Sequence, residues 1–226
     1  MQETARSTTA RMTTTGLRDA SKALVTELRL WRTHRRAVKR AQQLAKTGLQ
    51  LHLGSGPNRK AGWVNIDLHQ DADLMLDLRE PLPFPADSCV VVYSEHVLEH
   101  FEYPEPAMSM LRDWLRVLAP GGTCRIGVPD TRWPLVEYCG QGDGRYFAIA
   151  KEQWHPAWCR TPMEHINYHF RQGREHQFAY DAETLIGALT TAGFVDARQT
   201  HFDPEIDSPS RELGTLYVVA AKPHAS

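Results

Sequence analysis

From Leu17 to Ala45 apolar side chains recur at spacings of three, four and seven, at Leu24, Leu28, Trp31, Val38, Ala41 and Leu44, and neither Gly nor Pro intervenes. That period predicts one long amphipathic helix. Its other face carries Arg29, Arg32, Arg35, Arg36, Lys39 and Arg40, and Leu24, Leu28 and Trp31 are expected to dock it on its own fold or on a second subunit. The pattern then changes to short apolar runs at Leu49–Leu53, Trp63–Ile66 and Val90–Tyr93, which read as strands. Between Asp130 and Tyr180 neither period holds.

The strands end in residues that bind rather than pack. Leu53 runs into Gly54-Ser55-Gly56-Pro57, Asp67 closes the second strand, and Ser94-Glu95-His96-Val97-Leu98-Glu99-His100 follows the third. A glycine loop lets a ligand approach bare backbone, and a carboxylate at a neighbouring strand tip accepts hydrogen bonds from a ribose diol. These features describe a nucleoside-cofactor pocket. Asp67 lies 13 residues after Gly54, whereas a dinucleotide fingerprint places its acid about 20 residues on and carries a third glycine. The spacing argues against NAD and for a truncated first crossover, since Pro57–Gly62 holds at most a turn or two.

The stretch Leu49–Lys222 resembles the class I S-adenosylmethionine-dependent methyltransferases. Beyond the cofactor strands, Leu115-Arg116-Val117-Leu118-Ala119-Pro120-Gly121-Gly122 followed by Thr123–Asp130 resembles the family's entry to its fifth strand. Tyr180–Leu185 through Ala192-Gly193-Phe194 is similar to its last helix, with a terminal strand pair after it. The resemblance implies an α/β, Rossmann-like fold: a mostly parallel seven-stranded sheet with an antiparallel last strand, preceded by an N-terminal helical arm. The expected division is an arm over 1–46 and a methyltransferase domain over 47–226, with an acceptor-site insertion at about 130–180. It implies S-adenosylmethionine as cofactor, held by Leu53, Gly54, Ser55, Gly56, Asp67, Leu68, Asp77, Leu78, Ser94 and Glu95, with Asp77 and Leu78 at the adenine edge.

His96, Glu99 and His100 are spaced i, i+3, i+4, so a helix over Glu95–Phe101 would project all three from one face. Two imidazoles and a carboxylate form a divalent-metal set. The motif resembles the Glu-x-x-Glu-His of metal-dependent hydroxyl methyltransferases, with His96 in place of the first Glu, which implies Mg2+ or Mn2+ at His96, Glu99 and His100. The alternative is a packed helix start without metal.

The segment 130–180 holds 10 of the 20 aromatics and His155, His165, His169 and His176. Aromatic faces pack on sugar rings and planar acceptors, so this segment reads as the acceptor wall, with Trp133, Tyr138, Tyr168 and His176 toward substrate. His96, His165 and His169 are the candidate bases, and a free imidazole base predicts a rate that rises with pH near 6.5. An alcohol needs its proton removed to attack a methyl sulfonium, which favours O-methylation. The mixture of aromatic and polar residues favours a sugar or saccharide acceptor, and the whole resembles small bacterial sugar methyltransferases, among them those of mycobacterial methylmannose polysaccharide synthesis. The competing readings are a phenolic natural-product acceptor, or an RNA-binding or RNA 2'-O-methylating protein gripping through the basic helix.

Charge is divided: residues 1–46 hold 11 Lys+Arg against 3 Asp+Glu, and the rest hold 15 against 24. A basic arm beside an acidic body fits an arm lying on its own domain as well as it fits an anionic partner. Met1–Gly16 lacks the apolar core of a secretory signal and reads as a disordered tail. The longest apolar run, near Cys89–Tyr93, is too short for a bilayer span. Cys89, Cys124, Cys139 and Cys159 have no Cys-x-x-Cys spacing and read as residues without chemistry in a reducing, cytoplasmic compartment. The expected partners are a small-molecule or saccharide acceptor and a second copy of the chain, with no membrane and nucleic acid disfavoured.

Overall fold

The computed structural model describes residues 3–44 and 47–224, with side chains from residue 16 onward. Helix α1 runs Glu3–Ala41. It starts well before Leu17, so the tail expected to be disordered is helical from Glu3, and no proline stops the helix there. Ala45, its expected end, lies outside the described residues.

On its own fold the helix docks through a different face from the expected one. Leu24, Leu28 and Trp31 are 61%, 47% and 54% exposed, whereas Ala37 and Ala41 are buried in the main core with Val38 packed beside them. Small side chains allow the close approach. Two polar ties lie upstream: Arg79 pairs with Glu27 at 2.8 Å, and the Asp77 backbone N–H donates to His34 Nδ1 at 3.1 Å. Arg29, Arg32, Arg35, Arg36, Lys39 and Arg40 are exposed, so much of the arm's positive charge faces solvent.

Six strands form one sheet: β1 (Leu49–Leu53), β2 (Val64–Ile66), β3 (Cys89–Glu95), β4 (Leu118–Pro129), β5 (Val195–Thr200) and β6 (Thr215–Ala221), in the order β2-β1-β3-β4-β6-β5. The first four pair in parallel, while β6 is antiparallel to both neighbours. This is an α/β, Rossmann-like fold. The seventh strand expected from the resemblance is reduced, among the described residues, to a single bridge between Ile66 and Leu74. A side chain interrupts the ladder there: the Asp73 carboxylate accepts from the Asn65 backbone N–H at 2.9 Å and its amide at 2.8 Å.

The helices that follow are α2 (Ala107–Val117), α3 (Arg132–Tyr138), α4 (Tyr146–Ile149), α5 (Pro162–Arg171) and α6 (Ala182–Ala192). The insertion that lacked a clear period is thus largely helical. Asp181 caps α6 by accepting from the Thr184 N–H at 2.8 Å, and Gly193, at φ +106°, ends it.

Strand alternation divides the sheet into unlike faces. Leu51, Leu53, Val92, Ile126, Val128 and Val218 join Trp114 of α2 and Leu185 and Leu189 of α6 in the apolar core. The other face holds His52, Tyr93, Glu95, Arg125 and Tyr217. The truncated crossover between β1 and β2 supplies no helix to cover it, and polar contacts cover it instead. Lys60 Nζ lies 4.6 Å from the Tyr93 ring centroid, Tyr217 Oη donates to Glu95 Oε1 at 2.6 Å, and Arg125 Nε donates to Asp207 Oδ1 at 2.7 Å.

His52, buried on that face, has its pKa lowered to about 4 by desolvation. The unfolded chain binds a proton near pH 6.5 that the native state refuses, so the stability is intact above 6.5 and is lost as pH falls toward about 4. The expected slope from this group is up to about 1.4 kcal/mol per pH unit. Urea midpoints at neutral and acid pH should show the loss, and His52→Gln should reduce it; an identical pH dependence in the variant contradicts the assignment.

Candidate functional site

Parallel strands β1 to β4 bring their carboxyl ends to one edge, where ligands collect in this class of sheet. Gly54 begins the loop after β1 with φ +71°. A Cβ there would stand 1.9 Å from Val97 Cγ2, so the position requires glycine sterically as well as conformationally. The Gly54 and Ser55 N–H groups donate to Ile66 O at 2.8 and 3.1 Å. Asp67, at the tip of β2, accepts from Gly56 N at 2.8 Å through Oδ2 and from His69 N at 2.7 Å through Oδ1. These bonds orient the carboxylate and leave each oxygen acceptor capacity for a diol.

A cavity of about 560 Å³ opens here. Gly54, Asp67, Leu68, Asp77 and Leu78 line it, joined by Leu76, Arg79, His96, Val97, His100, Phe101 and Glu102. Other expected cofactor residues lie behind this wall. Leu53 is in the apolar core, Ser55 bonds its own loop, Ser94 is buried within β3, and Glu95 faces Tyr217 on the polar side of the sheet. At Asp77 burial opposes ionisation, but the Arg79 guanidinium holds the carboxyl below its ordinary range. Since Asp77 and Arg79 also hold His34 and Glu27, α1 braces this rim of the cavity, a role its charge pattern did not announce.

The turn after β3 is not the continuous helix expected. His96 has φ +56°, and only Leu98–His100 forms a 3-10 turn. His96 Nε2 shares a hydrogen bond with Thr215 Oγ1 at 2.9 Å, and its Nδ1 lies 3.7 Å from Glu99 Oε1. Glu99 instead gathers with His100 and His176, whose ligand-capable atoms lie within 4.8 Å of one another. His176 thereby replaces His96 in the expected ligand trio. Both Glu99 carboxylate oxygens are buried without a hydrogen-bond partner, and desolvation raises the carboxyl pKa to about 8.

A second cavity of about 360 Å³ borders the first, and His96 lines both. Tyr168, His169 and His176 line the second, together with Trp154, His155, Gln172, Arg211 and Thr215. His169 Nδ1 bonds Tyr146 Oη at 2.9 Å, while its Nε2 is buried without a partner. Burial lowers the His169 pKa to about 3. Burial also lowers that of His96 well below 6.5, reinforced by Arg211 and the imidazoles of His176, His100 and His169. His96 is therefore neutral at physiological pH.

Three residues expected at this site lie elsewhere. His165 pairs with His155 at 2.9 Å and does not line the cavity. Trp133 packs edge-on against Tyr146 and Trp154, behind the wall, because edge-to-face contact with other aromatics consumes its surface. Tyr138, at the end of α3, is 50% exposed. Conversely, Arg211 enters from the segment between β5 and β6 and Thr215 from the first position of β6, where no periodic signal marked them.

Residues 19–126 match the family model described as a methyltransferase domain, a span that begins inside α1 and reaches β4. No curated protein matches the chain. Similar solved structures include a chain of the complex between the Haloferax volcanii Trm112 methyltransferase activator and a methyltransferase, at 20% identity and TM-score 0.48, covering 92% of this chain and 95% of that one. An S-adenosylmethionine-dependent methyltransferase from Thermotoga maritima is similar at 15% identity and TM-score 0.45, with 89% and 97% covered. Haemonchus contortus phosphoethanolamine N-methyltransferase 2 is similar at 12% identity and TM-score 0.43, with 86% and 53% covered. Among the described residues no helix is long and apolar enough to cross a membrane.

Proposed function

We propose that this chain, which carries a class I S-adenosylmethionine-dependent methyltransferase domain, transfers the methyl group to a hydroxyl of a sugar or saccharide, with His96 as the base. The observation that carries the reading is the position of His96 between the two cavities. The larger cavity suits the cofactor: Gly54 keeps the backbone bare, Asp67 is aimed for a ribose diol, and Leu76, Leu78 and Phe101 offer apolar surface to a base. The cofactor supplies the electrophilic methyl sulfonium. The chain supplies orientation and a route for the acceptor proton.

Neutral His96 can take that proton, and Thr215 steadies its ring through Nε2. Tyr168 and Trp154 present rings on which a sugar can lie, while Arg211 and Gln172 supply donors for its oxygens. This mixture favours a saccharide over a phenol.

A second reading is favoured by Glu99 alone: a buried carboxylate with two unpartnered oxygens beside His100 and His176 fits a divalent cation as well as it fits a proton. Methyl transfer from labelled S-adenosylmethionine to mono- and oligosaccharides, with and without EDTA, tests both. Labelled product in EDTA is expected from the His96 reading. Activity lost in EDTA and restored by Mg2+ or Mn2+ would select the metal, and transfer confined to amines or carbon would refute O-methylation.

Asp67→Ala should weaken cofactor binding. Hydrogen bonds to a charged group contribute about 1.5–3 kcal/mol each, so calorimetry should show affinity at least about tenfold lower. An unchanged Kd would remove Asp67 from the cofactor site.

A further inference from the structure

Beside the acceptor cavity, and separate from the Glu99 cluster, His155, Cys159 and His165 bring one ligand-capable atom each within 4.8 Å of the others. Local structure builds the group. A π-helical turn over Ala150–Trp154 ends at His155, whose N–H donates to Ala150 O at 2.7 Å; such turns often mark functional positions. A capping box fixes the start of α5: Thr161 Oγ1 accepts from Glu164 N at 3.3 Å, and Glu164 Oε2 accepts from Thr161 N at 2.8 Å. That cap sets His165 on the first turn, facing back toward the loop.

The geometry points to a Zn2+ site formed by His155, Cys159 and His165, which staples the loop over 150–161 to α5 and so fixes one wall of the acceptor cavity. The facing imidazole nitrogens are 2.9 Å apart, so both rings already turn a nitrogen toward one point, and a separation by about 0.4 Å reaches the N···N edge of about 3.3–3.4 Å that Zn–N bonds of about 2.0–2.1 Å set in a tetrahedral site. Cys159 and His165 are 2% and 3% exposed, and the thiol's other contact is a weak one to Glu164 O at 3.8 Å. One thiolate with two neutral imidazoles suits zinc and rejects magnesium. Binding releases the Cys159 thiol proton to solvent, leaves the imidazole protons on the nitrogens away from the metal, and keeps a fourth coordination position for water. His155 also lines the acceptor cavity, so metal occupancy there would order the surface that meets substrate.

Co2+ added to the reduced full-length protein should produce a thiolate-to-cobalt charge-transfer band that saturates at one equivalent and disappears when Zn2+ is added. The band should vanish in Cys159→Ala and persist in His100→Ala, which separates this site from the Glu99 cluster. Competition with a chromophoric chelator should show Zn2+ bound about 100-fold or more weakly in His165→Ala. Zn2+ should also slow amide hydrogen exchange across 150–171. A wild-type protein with no charge-transfer band, or a band that survives in Cys159→Ala, overturns the site.

Discussion

Replacement of His96 by alanine is expected to lower kcat about 10²- to 10⁴-fold, the usual contribution of a positioned general base, while S-adenosylmethionine affinity stays close to wild type. The split follows from where His96 stands: it borders both cavities, whereas Gly54 and Asp67 are the groups proposed to meet the nucleoside. The pH profile provides a second readout. A free imidazole would give an acid limb near 6.5, whereas burial, Arg211 and the neighbouring histidines push the His96 pKa well below that value. The protonated, inactive form is thus confined to acid solution, and kcat should be level from about pH 6.5 upward. Wild-type turnover by His96→Ala would transfer the base role to His169, whose Nε2 is buried without a hydrogen-bond partner.

Asp207→Ala is expected to cost about 3–5 kcal/mol of stability, the usual penalty for leaving one member of a buried ion pair unpaired. Arg125 and Asp207 side chains are 7% and 0% exposed. The guanidinium also donates to His201 O at 2.8 Å and lies 4.8 Å from the Tyr217 ring centroid. Asp207 Oδ2 accepts from Asp203 N at 2.7 Å. This pair pins the segment between β5 and β6 to the polar face of the sheet, and that segment supplies Arg211 to the second cavity and leads into Thr215 at the start of β6, which lines it too. The variant should therefore lose acceptor affinity along with stability. Urea unfolding midpoints and KM for the acceptor measure the two effects, and a variant within about 1 kcal/mol of wild type would show the pair to be dispensable.

The position of Gly54 and Asp67 at one cavity was legible because its signals are local. Gly54 and Asp67 belong to strand-end patterns whose geometry depends on a few neighbouring residues, and β1 falls on Leu49–Leu53 as its apolar run predicts. The His-Glu-His turn was misread because spacing alone cannot reveal the left-handed φ at His96, which breaks the expected helical face and sends its imidazole to Thr215. Contacts distant in sequence were hidden for the same reason. Nothing near Leu24 or Trp31 indicates that Ala37 and Ala41 make the close approach, because docking depends on the shape of the body as well as on the helix stripe. The pairing of His165 with His155 and Cys159 depends on a π-helical turn with no periodic signature. The half-covered sheet was only partly foreseen: the short crossover was visible, but its consequence, a polar face closed by Arg125, Asp207 and Lys60, arises from strands far apart in the chain.

The most direct test of the central claim is a crystal structure of the full chain with S-adenosylhomocysteine and a saccharide acceptor. The account predicts the ribose diol on Asp67, the adenine against Leu76 and Leu78, the sulfur facing His96, and an acceptor hydroxyl within hydrogen-bond reach of the His96 imidazole. An adenosyl group bound outside the cavity of Gly54 and Asp67, or a sulfur directed away from His96, would contradict it.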